Sequence, residues 1–247
     1  MVSKLIKNTV DSGLKAVGWQ LTRAASDPTY VPCPPNRYPT YSPSMEPAFQ
    51  REYARFAEHT LVQPDRAWNL HQAVQQALQL QGEFVEAGVF RGGTAWFIAE
   101  LIRKSGQSRR LSLFDSFEGM PEGTEKGRDG HNPGDFGNTS LEHVQGLVAE
   151  YENVDFYPGF IPDTLPPVAD RAFAFAHIDV DIYKAVKDCC EFFFPRLVPG
   201  GVMLFDDYGF EIYKDAARRA VDEYFATQRE SVFALRTGQA LVVKLPA

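Results

Sequence analysis

Four aspartates in two short stretches carry the chemistry that is legible in this chain: Asp179 and Asp181 in FAFAHIDVDIY, and Asp206 and Asp207 in GGVMLFDDYG. Each pair follows an uninterrupted apolar run, the pattern of a strand buried on both faces of a parallel sheet. Acidic residues closing two such strands emerge together at the carboxyl edge, where open α/β sheets bind ligands. Carboxylates crowded there repel one another unless a cation joins them. Hard oxygen donors with no Cys or His pair beside them favour Mg²⁺, Ca²⁺ or Mn²⁺ over zinc. The arrangement predicts a divalent-metal site on an α/β scaffold. Asp181 has two readings. If the extended backbone persists past Asp179, the two share a strand face; otherwise Asp181 is an N-terminal cap of the next helix.

Two further stretches point to a ligand. In FVEAGVFRGGTAWFIAELI a strand ends near Glu86, and Gly88, Gly92 and Gly93 permit tight turns and close ligand approach before a helix. The spacing is neither GxGxxG nor a P-loop, so the loop suits a nucleoside or amino-acid moiety better than a phosphate, with a plain structural turn as the alternative. Arg91 lies in this loop and joins Glu86 and Gly88 as a cofactor-binding candidate. In LSLFDSFEGMP, Asp115 ends a strand where a carboxylate can accept bonds from ribose hydroxyls. Asp followed by Ser is also an ordinary turn former. Beside the glycine loop, the ribose role is the stronger reading.

The elements needed to position these residues follow from periodicity. After Gly82, strands at Glu83–Ala87, Leu111–Phe114, Asn153–Tyr157, Phe173–Ile178 and Gly201–Phe205 alternate with helices at Thr94–Lys104, Tyr183–Phe194 and Tyr213–Thr227. Such alternation implies a parallel sheet with helices on both faces and right-handed crossovers. The tail SVFALRTGQALVVKL reads as a hairpin closing near Thr237-Gly238, adding antiparallel strands at one edge. Residues 118–138 are rich in Gly and charge without apolar rhythm, and are long for a plain connection; a lid or substrate loop is expected. Ahead of the sheet, helices are expected over about 46–60 and 66–80, preceded by an amphipathic helix in residues 1–21 and a Pro/Tyr-rich arm from Asp27 to Pro47. Residues 1–80 are thus read as an N-terminal extension and 81–247 as the sheet domain.

Composition narrows the partners. At 247 residues, 44% apolar and 23% charged, the chain is ordinary globular material. A formal charge of −7 argues against nucleic acid. Cys33, Cys189 and Cys190 form neither a disulfide framework nor a metal spacing. No apolar run reaches the roughly 18 residues that a membrane span needs. The start MVSKLIKNTVDSGLKAVGWQL lacks the unbroken apolar core of a signal peptide, so a cytoplasmic protein is expected. The 17 prolines and the aromatic arm Tyr30–Tyr41 suggest a segment that wraps a neighbouring subunit, hence a homo-oligomer.

EFVEAGVFRGGTAWFIA, LFDSFEGMP, YPGFIPDTLPP, FAHIDVDIYKAVKDCCEFFFPRLVPGGVMLFDDYG and AVDEYF occur in the order found in the macrocin O-methyltransferase family, which the chain resembles from about Gly82 to Phe225. That family includes enzymes methylating sugar hydroxyls of macrolide and aminocoumarin antibiotics. The resemblance implies a class I, Rossmann-like, mostly parallel seven-stranded fold. It also implies a small-molecule acceptor (a sugar hydroxyl or glycosylated natural product) and the cofactors S-adenosylmethionine and Mg²⁺. Asp179, Asp206 and Asp207 match the metal ligands and Asp181 a general base. Glu86 and Gly88 match the methionine-and-nucleoside loop, and Asp115 with Ser116 the ribose segment. Asp179 is expected to be a catalytic and a cofactor-binding residue as well. Two departures stand out: FEIYKDAA follows DDYG where a Cys-Pro-Gly stretch is common, and Ile182 replaces a His three positions after the first metal Asp.

Other readings compete. A metal-dependent hydrolase or hydroxylase-like relative would leave Glu86 and Asp115 idle. An iron oxygenase wants two His, whereas His177 has no companion and reads as a satisfied core residue. A non-catalytic S-adenosylmethionine-binding homologue would leave the acids dispensable.

Overall fold

Proline starts the first two helices of the computed structural model, which describes residues 41–246. Pro47 opens α1 (Pro47–Phe56) and Pro64 opens α2 (Pro64–Ala77), each where its missing N–H costs nothing. The helix expected in residues 1–21 and the arm up to Thr40 lie outside the described residues. The remaining elements are β1 (Glu83–Ala87), α3 (Gly93–Lys104), β2 (Leu111–Asp115), a single turn α4 (Lys126–Asp129), α5 (Leu141–Leu147), β3 (Val154–Pro158), β4 (Phe173–Ile178), α6 (Tyr183–Phe193), β5 (Leu197–Phe205), α7 (Ala217–Phe225), β6 (Phe233–Ala234) and β7 (Ala240–Val243).

The strands form one sheet of order β3-β2-β1-β4-β5-β7-β6, parallel from β3 to β5 and antiparallel across the final hairpin. This is the expected α/β class: a mostly parallel seven-stranded sheet with helices on both faces. Alternation along the strands feeds two cores. Phe84, Phe175 and Leu204 face α1, α2 and α3, while Val85, Ala176 and Phe205 face α6 and α7. A register shift between Phe173 and Phe175 lets β4 change parity, so that Phe173 joins the second core although Phe175 joins the first. Cys189 and Cys190 are both buried in α6, as small apolar fillers.

Helices α1 and α2 share a core with the sheet. Phe56 stacks on Phe97 of α3 with ring centroids 4.4 Å apart, and Phe49 meets the same ring edge-on at 6.2 Å. Glu100 of α3 accepts from Arg55 and Arg103 and from the Tyr151 hydroxyl, tying α1 to α3 through a buried carboxylate. The strand β5 begins four residues before the expected Gly201. Gly200 N–H donates to Lys244 O at 2.8 Å, and the tail thereby extends the ladder across a Gly-Gly pair that reads locally as a turn.

Because the Phe97 ring is shared by α1 and the sheet-side core, Phe97→Ala is expected to lower unfolding stability by ~3–5 kcal/mol. Urea denaturation measures this; a loss below about 1 kcal/mol would mean that α1 contributes little to the common core.

Candidate active site

Strand order reverses between β1 and β4, and at such a point the loops leaving neighbouring strands diverge and open a crevice. A cavity of about 640 Å³ lies there, in the range of small-molecule sites. Gly88 to Phe90 after β1, Asp115 and Ser116 at the end of β2, Gly159 and Phe160 after β3, Asp179 to Ile182 after β4, and Asp207 after β5 all line it.

One half of the cavity is built by backbone donors around Asp115. Its Oδ2 accepts from Val89 N–H at 2.7 Å and Phe90 N–H at 2.9 Å, and its Oδ1 from Phe117 N–H at 2.7 Å. A carboxylate has about four lone-pair sites, so one remains for a ligand hydroxyl. The turn-forming and ribose-binding readings are thus compatible. Ser116 spends its hydroxyl on the Gly119 carbonyl at 2.9 Å and shapes the next turn. Gly88 sits at φ +86°, where a Cβ would lie 1.8 Å from the Asp179 carbonyl oxygen. Its small size is demanded by β1 and β4 closing on each other, with ligand approach as a second consequence.

Two predicted cofactor residues are elsewhere. Arg91 is not among the cavity-lining residues; its guanidinium donates to the Glu58 carbonyl, because the turn at Gly92 and Gly93 aims it at the segment before α2. Glu86 is fully buried, not cavity-lining, and its Oε1 pairs with His177 Nδ1 at 2.8 Å. The two residues are register partners across β1 and β4, which brings a carboxylate to an imidazole inside the sheet. His177 is a core histidine, as expected from sequence, but only its Nδ1 is satisfied; Nε2 is buried without a hydrogen-bond partner.

The acids do converge. Asp179, Asp206 and Asp207 offer ligand atoms that all lie within 4.8 Å of one another. Asp206 is fully buried: Oδ1 accepts from Gln239 Nε2 at 2.7 Å, Oδ2 pairs with the Arg66 guanidinium, and His177 Nε2 lies 3.7 Å from Oδ1. Burial would raise the Asp206 pKa, but His177 and Arg66 outweigh it and hold this carboxyl below its ordinary value. For His177, burial would lower the pKa, but the Asp206 and Glu86 carboxylates outweigh it and lift this imidazole to about 10. Asp179 is pushed up to about 8 by burial and by the Asp206 charge. Asp207 is raised too, by burial and by Asp181, Asp179 and Asp206, and its Oδ2 is buried without a hydrogen-bond partner. A buried orphan oxygen beside two carboxylates that resist ionising together is a donor set that fits a hard divalent cation.

Asp181 reaches the cavity by a different route from the one expected. β4 ends at Ile178, and Asp181 adopts φ +56°, so strand alternation with Asp179 does not persist. Nor does Asp181 cap α6. Asp129 accepts from the Tyr183 N–H at 3.2 Å instead. The left-handed turn aims Asp181 at His131, whose Nε2 lies 3.4 Å from Asp181 Oδ1 and 2.8 Å from the Tyr213 hydroxyl. Contact with Asp181 outweighs burial and raises the His131 pKa. His131 comes from the 118–138 loop, which holds Met120, Pro121, Arg128 and Phe136 against the cavity. Phe136 packs on Phe90 and His131, so the loop covers the site as a lid would. Tyr213 comes from the divergent FEIYKDAA segment, in a 3-10 turn. Sequence reasoning misses Tyr213, Arg66 and Gln239, none of which belongs to a motif; the mixed polarity of the segments that carry them is their only sequence signal.

A family model described as macrocin-O-methyltransferase (TylF) matches residues 46–232. The 8-demethyl-8-(2,3-dimethoxy-alpha-L-rhamnosyl)-tetracenomycin-C 4'-O-methyltransferase of Streptomyces olivaceus is 35% identical over 179 residues, covering 67% of this chain and 67% of its own. Mycinamicin III 3''-O-methyltransferase of Micromonospora griseorubida is 33% identical over 181 residues, covering 67% of this chain and 70% of its own. The solved O-methyltransferase NovP superposes with a TM-score of 0.67 at 26% identity, covering 76% of this chain and 83% of that one.

Two outcomes test this geometry. Gly88→Ala must open β1 from β4 and adopt a strained φ, and is expected to cost at least ~3 kcal/mol by urea denaturation. The second concerns pH. Between its unfolded value of 3.8 and its folded value of about 8, Asp179 binds more proton in the folded state, so metal-free stability falls as pH rises through that window. The melting temperature of chelated protein should drop by ~4 °C or more from pH 5 to pH 8, and saturating Mg²⁺ should shrink the drop. A flat profile would contradict the assigned crowding.

Proposed function

The chain belongs to the macrocin O-methyltransferase family and is an S-adenosylmethionine-dependent O-methyltransferase; on that premise we propose that it methylates a sugar hydroxyl of a glycosylated natural product with a Mg²⁺ ion held by Asp179, Asp206 and Asp207. One observation carries the reading: three carboxylates from two adjacent strand ends converge beside a cavity whose other side is the Gly88 and Asp115 loops. The acceptor class rests on the relatives, one named for a rhamnosyl substrate and the other for methylating a 3'' oxygen of mycinamicin III. Leu61 and Phe160 on the cavity wall are 55% and 41% exposed, an apolar surface suited to the body of such a molecule.

When bound, S-adenosylmethionine supplies an electrophilic methyl and the divalent ion lowers the pKa of the acceptor hydroxyl. The remaining work falls to the chain. Gly88, Asp115 and Ser116 position the donor, and much of the rate comes from that alignment. Asp181 takes the proton that must leave the hydroxyl as oxygen is methylated. His131 and Tyr213 hold Asp181 in place, and the 118–138 segment keeps water away. The hydrolase reading gives way to the family assignment; for the oxygenase reading, the acid cluster among the described residues contains no histidine, and His177 faces Glu86 inside the sheet. A homo-oligomer and a cytoplasmic location belong to the same proposal, on the strength of the sequence; among the described residues no helix is long and apolar enough to cross a membrane. An extension over residues 1–80, ahead of the methyltransferase domain, is likewise proposed.

Asp181→Asn is expected to lower kcat by ~100-fold or more while leaving S-adenosylmethionine binding by calorimetry unchanged; near wild-type turnover in saturating Mg²⁺ would remove Asp181 as the base. Turnover should stop in EDTA and return with added Mg²⁺. Chelator-insensitive turnover would take the ion out of the scheme.

A further inference from the structure

Among the described residues around the acid cluster, Arg66 is the one cation supplied from outside the sheet and its crossovers. It sits on the first turn of α2, and its side chain is 13% exposed against a fully buried Asp206. One terminal nitrogen pairs with Asp206 Oδ2, and the other donates to the Leu61 carbonyl at 2.9 Å. The guanidinium carbon also lies 5.4 Å from the centre of the Phe210 ring. Gln239 Nε2 bridges the same two residues, donating to Asp206 Oδ1 at 2.7 Å and to the Arg66 carbonyl at 3.3 Å. Asn69 fixes that amide by donating to Gln239 Oε1 at 2.8 Å. Both oxygens of Asp206 are therefore engaged by protein donors, whereas Asp207 Oδ2 has none.

We propose that Arg66 is a built-in competitor of the divalent cation: it neutralises Asp206 in the metal-free protein and must yield that carboxylate when the ion binds. The inference rests on the cation site proposed above. Its physical basis is that a guanidinium and a divalent ion cannot both sit against one desolvated carboxylate without strong mutual repulsion, since screening by water is weak there. The displaced guanidinium has a place to go. The Leu61 carbonyl and the face of Phe210 already hold it, and both Leu61 and Arg66 line the cavity. Metal loading is thereby coupled to the α2 start and to the Leu61 wall of the acceptor cavity. The arrangement lowers metal affinity and stabilises the metal-free fold, so Arg66 is a positioning residue, acting through Asp206.

Calorimetric titration of Mn²⁺ into wild-type protein and Arg66→Gln, with melting temperatures of both in EDTA, tests this. Arg66→Gln is expected to melt lower in EDTA yet bind Mn²⁺ at least about tenfold tighter. A purely structural strut between α2 and the sheet would give equal or weaker binding once removed, and that result overturns the proposal. If Arg66→Gln does not fold, Arg66→Lys keeps the charge but loses the planar fork, and it should bind Mn²⁺ about two- to fivefold tighter; unchanged or weaker binding by that variant overturns the proposal equally. Absence of Mn²⁺ binding by the wild type and both variants overturns the cation site itself, a separate outcome from equal affinities.

Discussion

Crowded negative charge at the carboxyl ends of β4 and β5 is the constraint around which this structure is organised. Asp179, Asp206 and Asp207 bring their oxygens within 4.8 Å of one another in a place where water is largely excluded. Left alone, such a cluster would hold protons or push its strands apart. The chain answers with groups from well separated elements: Arg66 from α2, Gln239 from the hairpin turn just before β7, and His177 from within β4 itself. Each brings partners of its own, Asn69 behind Gln239 and Glu86 behind His177. A polar seam thus runs through an otherwise apolar sheet face, and α2 and the β6–β7 hairpin meet along it.

The half of the cavity around Asp115 follows a different logic. There the dominant groups are main-chain N–H bonds converging on Asp115, and a glycine that lets β1 and β4 close. The backbone donors of that wall are already spent on an internal carboxylate. The acid half is the reverse, with an unspent oxygen on Asp207 and the Asp181 carboxylate in a left-handed turn beside His131 of the covering loop. Methyl transfer needs a positioned donor beside an acceptor oxygen whose developing charge is stabilised.

Much of this architecture is legible in local residue patterns. β4 runs over Phe173–Ile178 as its apolar run predicts, because a short continuous apolar run rich in aromatic residues suits a strand buried on both faces. The start of α3 after Gly92 and the hairpin near Gly238 follow equally from local turn chemistry. The expected helix from Tyr213 instead begins at Ala217, after a 3-10 turn that turns Tyr213 toward His131. α5 gives no clear signal in sequence, since LEHVQGL is short and only Val144 in it is buried. Glu86 is legible as a strand-end acid but not in its task, because nothing local reveals that His177 will be its register partner.

What the residues alone determined is the class of the fold and the identity of its acid edge. Apolar runs closed by aspartates, in alternation with helices, specify a parallel sheet, and both period and burial are local properties of a chain. What the tertiary structure decided is which charges face one another. Arg66 lies 140 residues from Asp206 in the chain, and Gln239 lies 33 residues beyond it. Asp181 finds its partners through a backbone turn that breaks the strand's alternation. Pairings of that kind depend on how whole elements dock, so no spacing within a motif encodes them.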